Sequence, residues 1–165
     1  MIRSRLRLVP ILLTGLLCVG CSGVEVLRSE GKTSWLGCGL TFALPPGQWS
    51  ADILEADRYV ELRNEADGVS LFVVRMDASE ELPPVVAIRR LFAAFDDKTL
   101  VAESPFELPD GTKGIRALYN VKVEETTRRV MAVAFRKGSW MYDLAAWGMS
   151  REDFDAVVSS LSTRE

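Results

Sequence analysis

The sequence contains no histidine, and this absence removes several kinds of chemistry. Ser-His-Asp triads, cysteine nucleophiles activated by histidine and zinc sites built on histidine all require an imidazole. The sequence also shows no phosphate-binding glycine loop, no EF-hand spacing and no Gly-x-Ser-x-Gly elbow. We therefore expect a protein that is not an enzyme and that uses no metal and no cofactor.

Cysteine is scarce, and the apolar run near the N-terminus is short. The run covers residues 8–17, contains a proline and a glycine, and follows Arg3, Arg5 and Arg7 without any acid. A helix needs about 20 apolar residues to cross a membrane, so this run is too short. A basic start, a short apolar segment and small residues before a cysteine are typical of a secretory signal, which we predict at residues 1–20.

The end of the run resembles the lipobox of bacterial lipoproteins, in which a small residue precedes the cysteine that receives the lipid. Gly20 and Cys21 match this pattern, although Cys18 stands where the family usually has leucine. The resemblance implies lipidation of Cys21, with cleavage before it. The alternative is an ordinary cleaved signal with two incidental cysteines. Because Ser22 and not aspartate follows Cys21, the lipoprotein interpretation favours the periplasmic leaflet of the outer membrane.

The rest of the chain is acidic and long enough for one domain. The signal holds three of the 20 Lys and Arg residues and none of the 23 Asp and Glu residues, so the remainder carries a net charge of about −6. We therefore expect no nucleic-acid partner. Residues 21–32 are polar and aperiodic and are predicted to be the lipidated N-terminus and a tether, followed by a single globular domain at 33–165. Cys38 is predicted to be buried, because no base is present to activate it.

Hydrophobic periodicity predicts an α+β domain with a mainly antiparallel sheet of about six or seven strands. Short strands are expected from Gly39 to Met76, then a helix over Val85–Phe95, and then an extended stretch followed by three strands joined by short turns. A second helix begins at Ser150, a predicted N-cap. Its apolar residues recur at helical spacing, and they are Phe154, Val157, Val158 and Leu161. The adjacent acids at 80–81, 96–97 and 124–125 are expected to lie in solvated turns.

Three segments together resemble the PsbP-like superfamily, which includes DcrB-type bacterial lipoproteins. They are the opening at 39–49, with its Pro-Pro-Gly-Gln-Trp sequence, the three-strand stretch at 114–146, and the closing helix that ends Val157-Val-Ser-Ser-Leu161. The resemblance implies a three-layer α/β/α domain whose known members are mostly non-enzymatic. It carries over no functional residues.

The strand at 139–147 contains the candidate binding residues. Trp140, Tyr142, Leu144 and Ala146 alternate with Met141, Asp143, Ala145 and Trp147, and Met149 follows. Met141, Trp147 and Met149 are candidates for a binding patch, with core packing as the alternative.

The sequence leaves three functions open. The first is a membrane-anchored, non-enzymatic module that binds or assembles with a protein partner, for which we expect an exposed apolar patch. The second is a binder of a small apolar ligand or lipid between helix and sheet, for which we expect an enclosed apolar cavity. An enzyme is the third, and it would need a cleft where several acids of perturbed pKa converge.

Overall fold

The computed structural model describes residues 25–29, 32–37, 40–55, 58–78 and 82–163, and these contain eleven strands and two α-helices. The strands are β1 (Glu25–Ser29), β2 (Lys32–Gly37), β3 (Leu40–Leu44), β4 (Ser50–Glu55), β5 (Tyr59–Asn64), β6 (Val69–Asp77), β7 (Lys98–Glu107), β8 (Lys113–Val123), β9 (Thr126–Lys137), β10 (Trp140–Trp147) and β11 (Ser162–Thr163). The helices are α1 (Pro84–Leu91) and α2 (Arg151–Ser159). Cys21, Cys38 and the acid pair at 80–81 lie outside the described residues.

The central sheet has seven strands within the described part of the chain, in the order β4-β5-β6-β10-β9-β8-β7, and every neighbouring pair is antiparallel. Two meanders build it, one on each side of the junction between β6 and β10. That junction pairs Trp140 with Asp77 and Trp147 with Ser70, which are far apart in sequence. The predicted antiparallel sheet is confirmed.

Both faces of the central sheet are covered, so the domain has three layers. On one side, the α1 face, Ile88 and Phe92 pack against Ala132, Ala134 and neighbouring apolar residues. The other side is the α2 face, where residues of β3 and α2 pack against the sheet in a second core. Strand β6 is apolar on both faces because it lies between these layers.

A smaller sheet has the order β1-β2-β3-β11 and contributes to the α2 side through β3. Strand β1 pairs with β2 from Glu25–Leu36 to Ser29–Lys32. The sequence pattern predicted a tether over residues 22–32, and its polar composition did not indicate this strand. Pairing of the backbone requires no apolar periodicity, so a short strand of this kind escapes detection by hydrophobic pattern.

Helix α2 begins at its predicted cap. The backbone N–H of Asp153 donates to Ser150 Oγ at 3.0 Å, which satisfies one of the free donors of the first turn. The whole predicted stripe is buried, with exposures of 1% for Phe154, 0% for Val157, and 4% each for Val158 and Leu161. Helix α2 is therefore part of the core.

Helix α1 ends four residues before the predicted boundary at Phe95. A 3₁₀ turn at Phe92–Ala94 follows Leu91, and Phe95 is extended with φ −97° and ψ 121°. The periodicity of the aromatic residues continues past the end of the α-helix because the turn keeps Phe92 pointing into the core, where it is 1% exposed. This early end of α1 shapes the site described below.

The Pro-Pro-Gly-Gln-Trp segment holds the first meander against the α2 side. Trp49 is 5% exposed, and its indole N–H donates to the carbonyl oxygen of Pro45 at 2.9 Å. Gly47 has φ +145°, and a Cβ at this position would clash with the Asn64 side chain. The packing of Trp49 and the lack of space for a side chain at Gly47 thus account for the residues of this segment.

In the part of the chain that the structure describes, neither α-helix is long and apolar enough to cross a membrane.

Candidate functional site

A cavity of about 260 Å³ lies on the α1 face, where α1 ends above the sheet. Its lining is almost entirely apolar and largely aromatic. The lining residues are Tyr59, Phe72, Leu91, Phe92, Ala94, Phe95, Val130, Ala145 and Trp147. They come from β5, β6, β9, β10, the last turn of α1 and the segment after it. The site is therefore assembled only when the two meanders join.

The segment after α1 makes one wall of the cavity. Phe92 stacks on Tyr119 of β8, with ring centroids 4.1 Å apart and planes 20° from parallel. Phe95 then reaches across to Trp147, with centroids 5.9 Å apart. These two contacts anchor the 3₁₀ turn at both ends, so the wall is part of the packed structure.

The floor of the cavity is the sheet itself, and a small residue at its centre leaves the space open. Ala145 on β10 pairs with Phe72 on β6 and with Ala132 on β9, all on the α1 face. The Phe72 ring contacts the Tyr59 ring, and their centroids are 6.1 Å apart. Trp147, which pairs with Val130, closes the opposite side. Large aromatic side chains thus surround a position occupied by alanine.

Few polar groups reach this cavity. Those on the lining side chains are the Tyr59 hydroxyl and the Trp147 indole N–H. Burial raises the pKa of Tyr59 above its usual value of 10.0, and the nearby Glu61 carboxylate raises it further. Tyr59 therefore presents a neutral hydroxyl. An apolar cavity with a small number of polar groups is the usual form of a small-molecule site.

Two cations lie beside the cavity. The Arg128 guanidinium lies 6.0 Å from the centroid of the Trp147 ring, at the outer limit of a cation–π contact. Lys98 Nζ donates to the carbonyl oxygen of Phe95 at 2.6 Å. Trp147 and Phe95 both line the cavity. Arg128 of β9 and Lys98 of β7 therefore place positive charge next to it.

A buried carboxyl group lies under α1. Asp143 of β10 is 1% exposed, and its cross-strand partners are Val74 and Ala134. No described residue donates a hydrogen bond to its Oδ1, and burial raises its pKa from 3.8 to about 7. Alternation along β10 placed Asp143 on this face, but the sequence did not indicate its burial.

Among the described residues, no group of three or more acids or cysteines could hold a metal ion.

The three binding residues expected from the sequence do not form one surface. Trp147 is half-buried and lines the aromatic cavity. Met141 is 1% exposed in the core under α1, while Met149 is 8% exposed in the core on the α2 side. Tyr59, Phe72 and Phe95 could not be identified as site residues from the sequence, because they lie on separate elements and share no spacing that would signal a common site.

The large hydrophobic residues that the structure shows exposed lie near one edge of the central sheet. They are Leu100, Val101 and Val123, each between 40% and 48% exposed. Leu100 and Val101 are on β7, the edge strand, at an irregularity between Leu100 and Ala102. An irregular edge with a proline, Pro105, discourages pairing with a further strand.

Two helices packed on a seven-strand antiparallel sheet form a PsbP-like α+β fold. The structure is similar to the solution structure of cyanobacterial PsbP (CyanoP) from Synechocystis sp. PCC 6803. The TM-score is 0.59 at 16% identity, over 92% of this chain and 99% of that one. The fold expected from the sequence resemblance is confirmed.

A weaker likeness is to a crystal structure from Bacteroides thetaiotaomicron, with a TM-score of 0.41 and 12% identity, over 77% of this chain and 46% of that one. No protein-family model and no curated protein matches the sequence.

Proposed function

We propose that this chain is a non-enzymatic, lipid-anchored binding module of the cell envelope, and that it binds a small apolar ligand in the aromatic cavity. The observation that carries the proposal is the cavity itself: about 260 Å³, lined by aromatic rings and alanine, between the end of α1 and the sheet. A cavity of about 150 Å³ with an apolar lining binds benzene, so this one has room for a two-ring aromatic or a short branched hydrocarbon.

The binding of naphthalene to the cavity tests this function. The protein should be the secreted chain with Cys21→Ala, so that no acyl chain competes for the probe. We expect saturable shifts of the Trp147 indole N–H resonance, since Trp147 lines the cavity. The indole resonances of Trp49 and Trp140 should not move, because both side chains pack on the α2 side.

A large side chain placed at the rim of the cavity tests the site, and the same substitution at the neighbouring residue is the matched control. Ala94 lines the cavity and is exposed, whereas Ala93 beside it is exposed and is not one of the lining residues. Ala94→Phe should weaken naphthalene binding by about tenfold or more, since the added ring occupies ligand space and a tenfold loss is only about 1.4 kcal/mol. Ala93→Phe should bind as the parent does. Equal binding by all three proteins would contradict the proposed site.

The membrane anchor is a separate part of the proposal. The Gly20-Cys21 junction supports it. With the sequence resemblance to DcrB-type lipoproteins, we propose an anchored protein at the periplasmic leaflet of the outer membrane. We expect a fatty-acid probe fed to the cells to label the wild-type chain and not Cys21→Ala. Equal labelling of both chains would show that Cys21 is not the acylated residue.

Protein binding is the second candidate function, and the exposed residues at the β7 edge favour it. Leu100 and Val101 would supply apolar side-chain contacts to a protein partner at this edge, without the addition of a strand to the sheet. Crosslinking from position 101 of the acylated protein in its native envelope is the corresponding test. If no protein is captured from this position, the edge is not a binding surface.

A further inference from the structure

We propose that the ligand of the aromatic cavity is an anionic amphiphile, whose apolar part fills the cavity and whose acid group binds Arg128 and Lys98. This inference rests on the proposed function and names the chemical class of its ligand. The acid can be a carboxylate, a sulfonate or a phosphate, since all three accept charge-assisted hydrogen bonds from these side chains.

The sheet places the two cations in one row on the α1 face. Val121 of β8 pairs with Lys98 of β7 on one side and with Arg128 of β9 on the other. Val121 is fully buried in the core under α1, and side chains of directly paired residues point to the same face. Lys98 and Arg128 therefore both lie on the side of the sheet that carries the cavity.

Each cation also contacts a different wall of the cavity. Arg128 lies over the Trp147 ring, and Lys98 donates to the carbonyl oxygen of Phe95. Phe95 and Trp147 are themselves in contact, so the two cations flank one stretch of the rim. An acid on a ligand held between these rings would find a donor on either side.

Neither cation is neutralised by an acid in the described part of the chain. Ion pairs between described residues involve other cations, among them Arg63, Arg89, Arg116, Lys137 and Arg151. Asp96 and Asp97 follow Phe95 directly, and both are exposed. They pair with neither Lys98 nor Arg128, so both cations are available to a ligand even though the protein as a whole is acidic.

The size of the cavity limits the apolar part of the ligand. About 260 Å³ holds a two-ring aromatic or a short chain, and it is too small for the two acyl chains of a membrane phospholipid. The occupant is accordingly a small free acid and not a lipid headgroup in a bilayer. The lining aromatics favour a flat or unsaturated apolar group, which can stack on them.

The test compares two probes of the same size, naphthalene-2-sulfonate and naphthalene-2-sulfonamide, which differ in charge. With the unacylated full chain used above, we expect the sulfonate to bind about threefold to tenfold more tightly, because contacts to exposed cations are worth a modest amount in water. Raising the ionic strength should reduce this preference, since salt screens exposed charges.

Substitutions on the two faces of the central sheet locate the effect. Arg128→Gln and Lys98→Gln should each reduce the preference for the sulfonate, and the double substitution should abolish it while sulfonamide binding persists. Arg129→Gln and Lys122→Gln are the controls. These residues are exposed neighbours whose partners, Asn120 and Thr127, lie on the opposite side of the sheet. Both controls should keep the full preference.

The outcomes separate this inference from the proposed function. Equal affinity of the wild-type chain for the two probes would overturn the anionic ligand and leave the apolar site standing. A preference that survives the double substitution, or that is lost equally in the controls, would overturn the assignment to Arg128 and Lys98. If neither probe shifts the Trp147 resonance, the cavity is not a binding site, and both proposals fail.

Discussion

Between about pH 4 and about pH 8, the free energy of unfolding should fall by as much as about 4 kcal/mol because of one carboxyl group, that of Asp143. Burial raises its pKa from 3.8 to about 7, so the folded protein keeps this proton at pH values where the unfolded chain has released it. The resulting stability is fully present below pH 3.8 and is lost as the pH rises through about 7. Asp143 thus favours the folded state in its neutral form.

Asp143→Asn measures this contribution directly, because asparagine is similar in size and does not titrate. Urea unfolding of the wild-type and variant proteins should give similar stabilities near pH 4, where both side chains are neutral. Near pH 8 the variant should be the more stable by as much as about 4 kcal/mol. Contributions from other carboxyls, such as Asp110 with its pKa of about 2 beside Lys137, are common to both proteins and cancel.

Asp96→Asn is the control for Asp143, since it removes one negative charge from an exposed position. A stability difference between Asp143→Asn and wild type that does not change with pH would show that the buried carboxyl does not titrate in this range. In that case the carboxyl would have a partner that stabilises its charge, and burial would not hold it in the neutral form.

Removal of helix α2 should unfold the protein. Its four stripe residues, Phe154, Val157, Val158 and Leu161, are each at most 4% exposed and belong to the core on the α2 side. Burying an apolar side chain of this size contributes roughly 1.5 to 3 kcal/mol. A domain has a net stability of only about 5 to 15 kcal/mol, so a chain that ends at Met149 should have little or none left.

Phe154→Ala alone should cost about 3 to 5 kcal/mol, because the ring is almost completely buried and leaves a cavity. Glu152→Ala, on the exposed side of the same helix, should change the stability much less. Thermal and urea unfolding measure both variants. Cooperative melting of the truncated chain near the full-length temperature would mean that α2 is peripheral and that this side of the core is assigned incorrectly.

Much of the local structure follows from the sequence, for reasons visible in particular residues. Alternation along β10 correctly separates Tyr142 and Leu144 from Met141 and Asp143, since side chains of a strand point to opposite faces in turn. The cap at Ser150 and the stripe that begins at Phe154 correctly predict α2, because both signals act within one or two turns of a helix.

The ends of elements and the short strand β1 were harder to predict. Helix α1 ends at Leu91 because a 3₁₀ turn follows it, and this turn preserves the apolar spacing that marked the helix as longer. Strand β1 forms through backbone pairing with β2, for which its polar sequence gives no signal. In both cases the decisive interactions do not depend on hydrophobic periodicity.

The sequence by itself determined which residues of each strand and helix share a face, because that depends only on the geometry of the local backbone. The tertiary structure decided what covers each face. The pairing of β10 with β6 buried Asp143 at the centre of the sheet and brought Phe72 beside Ala145. The end of α1 then left a cavity above that alanine, between Phe95 and Trp147. These contacts join residues that are distant along the chain, and no local pattern encodes them.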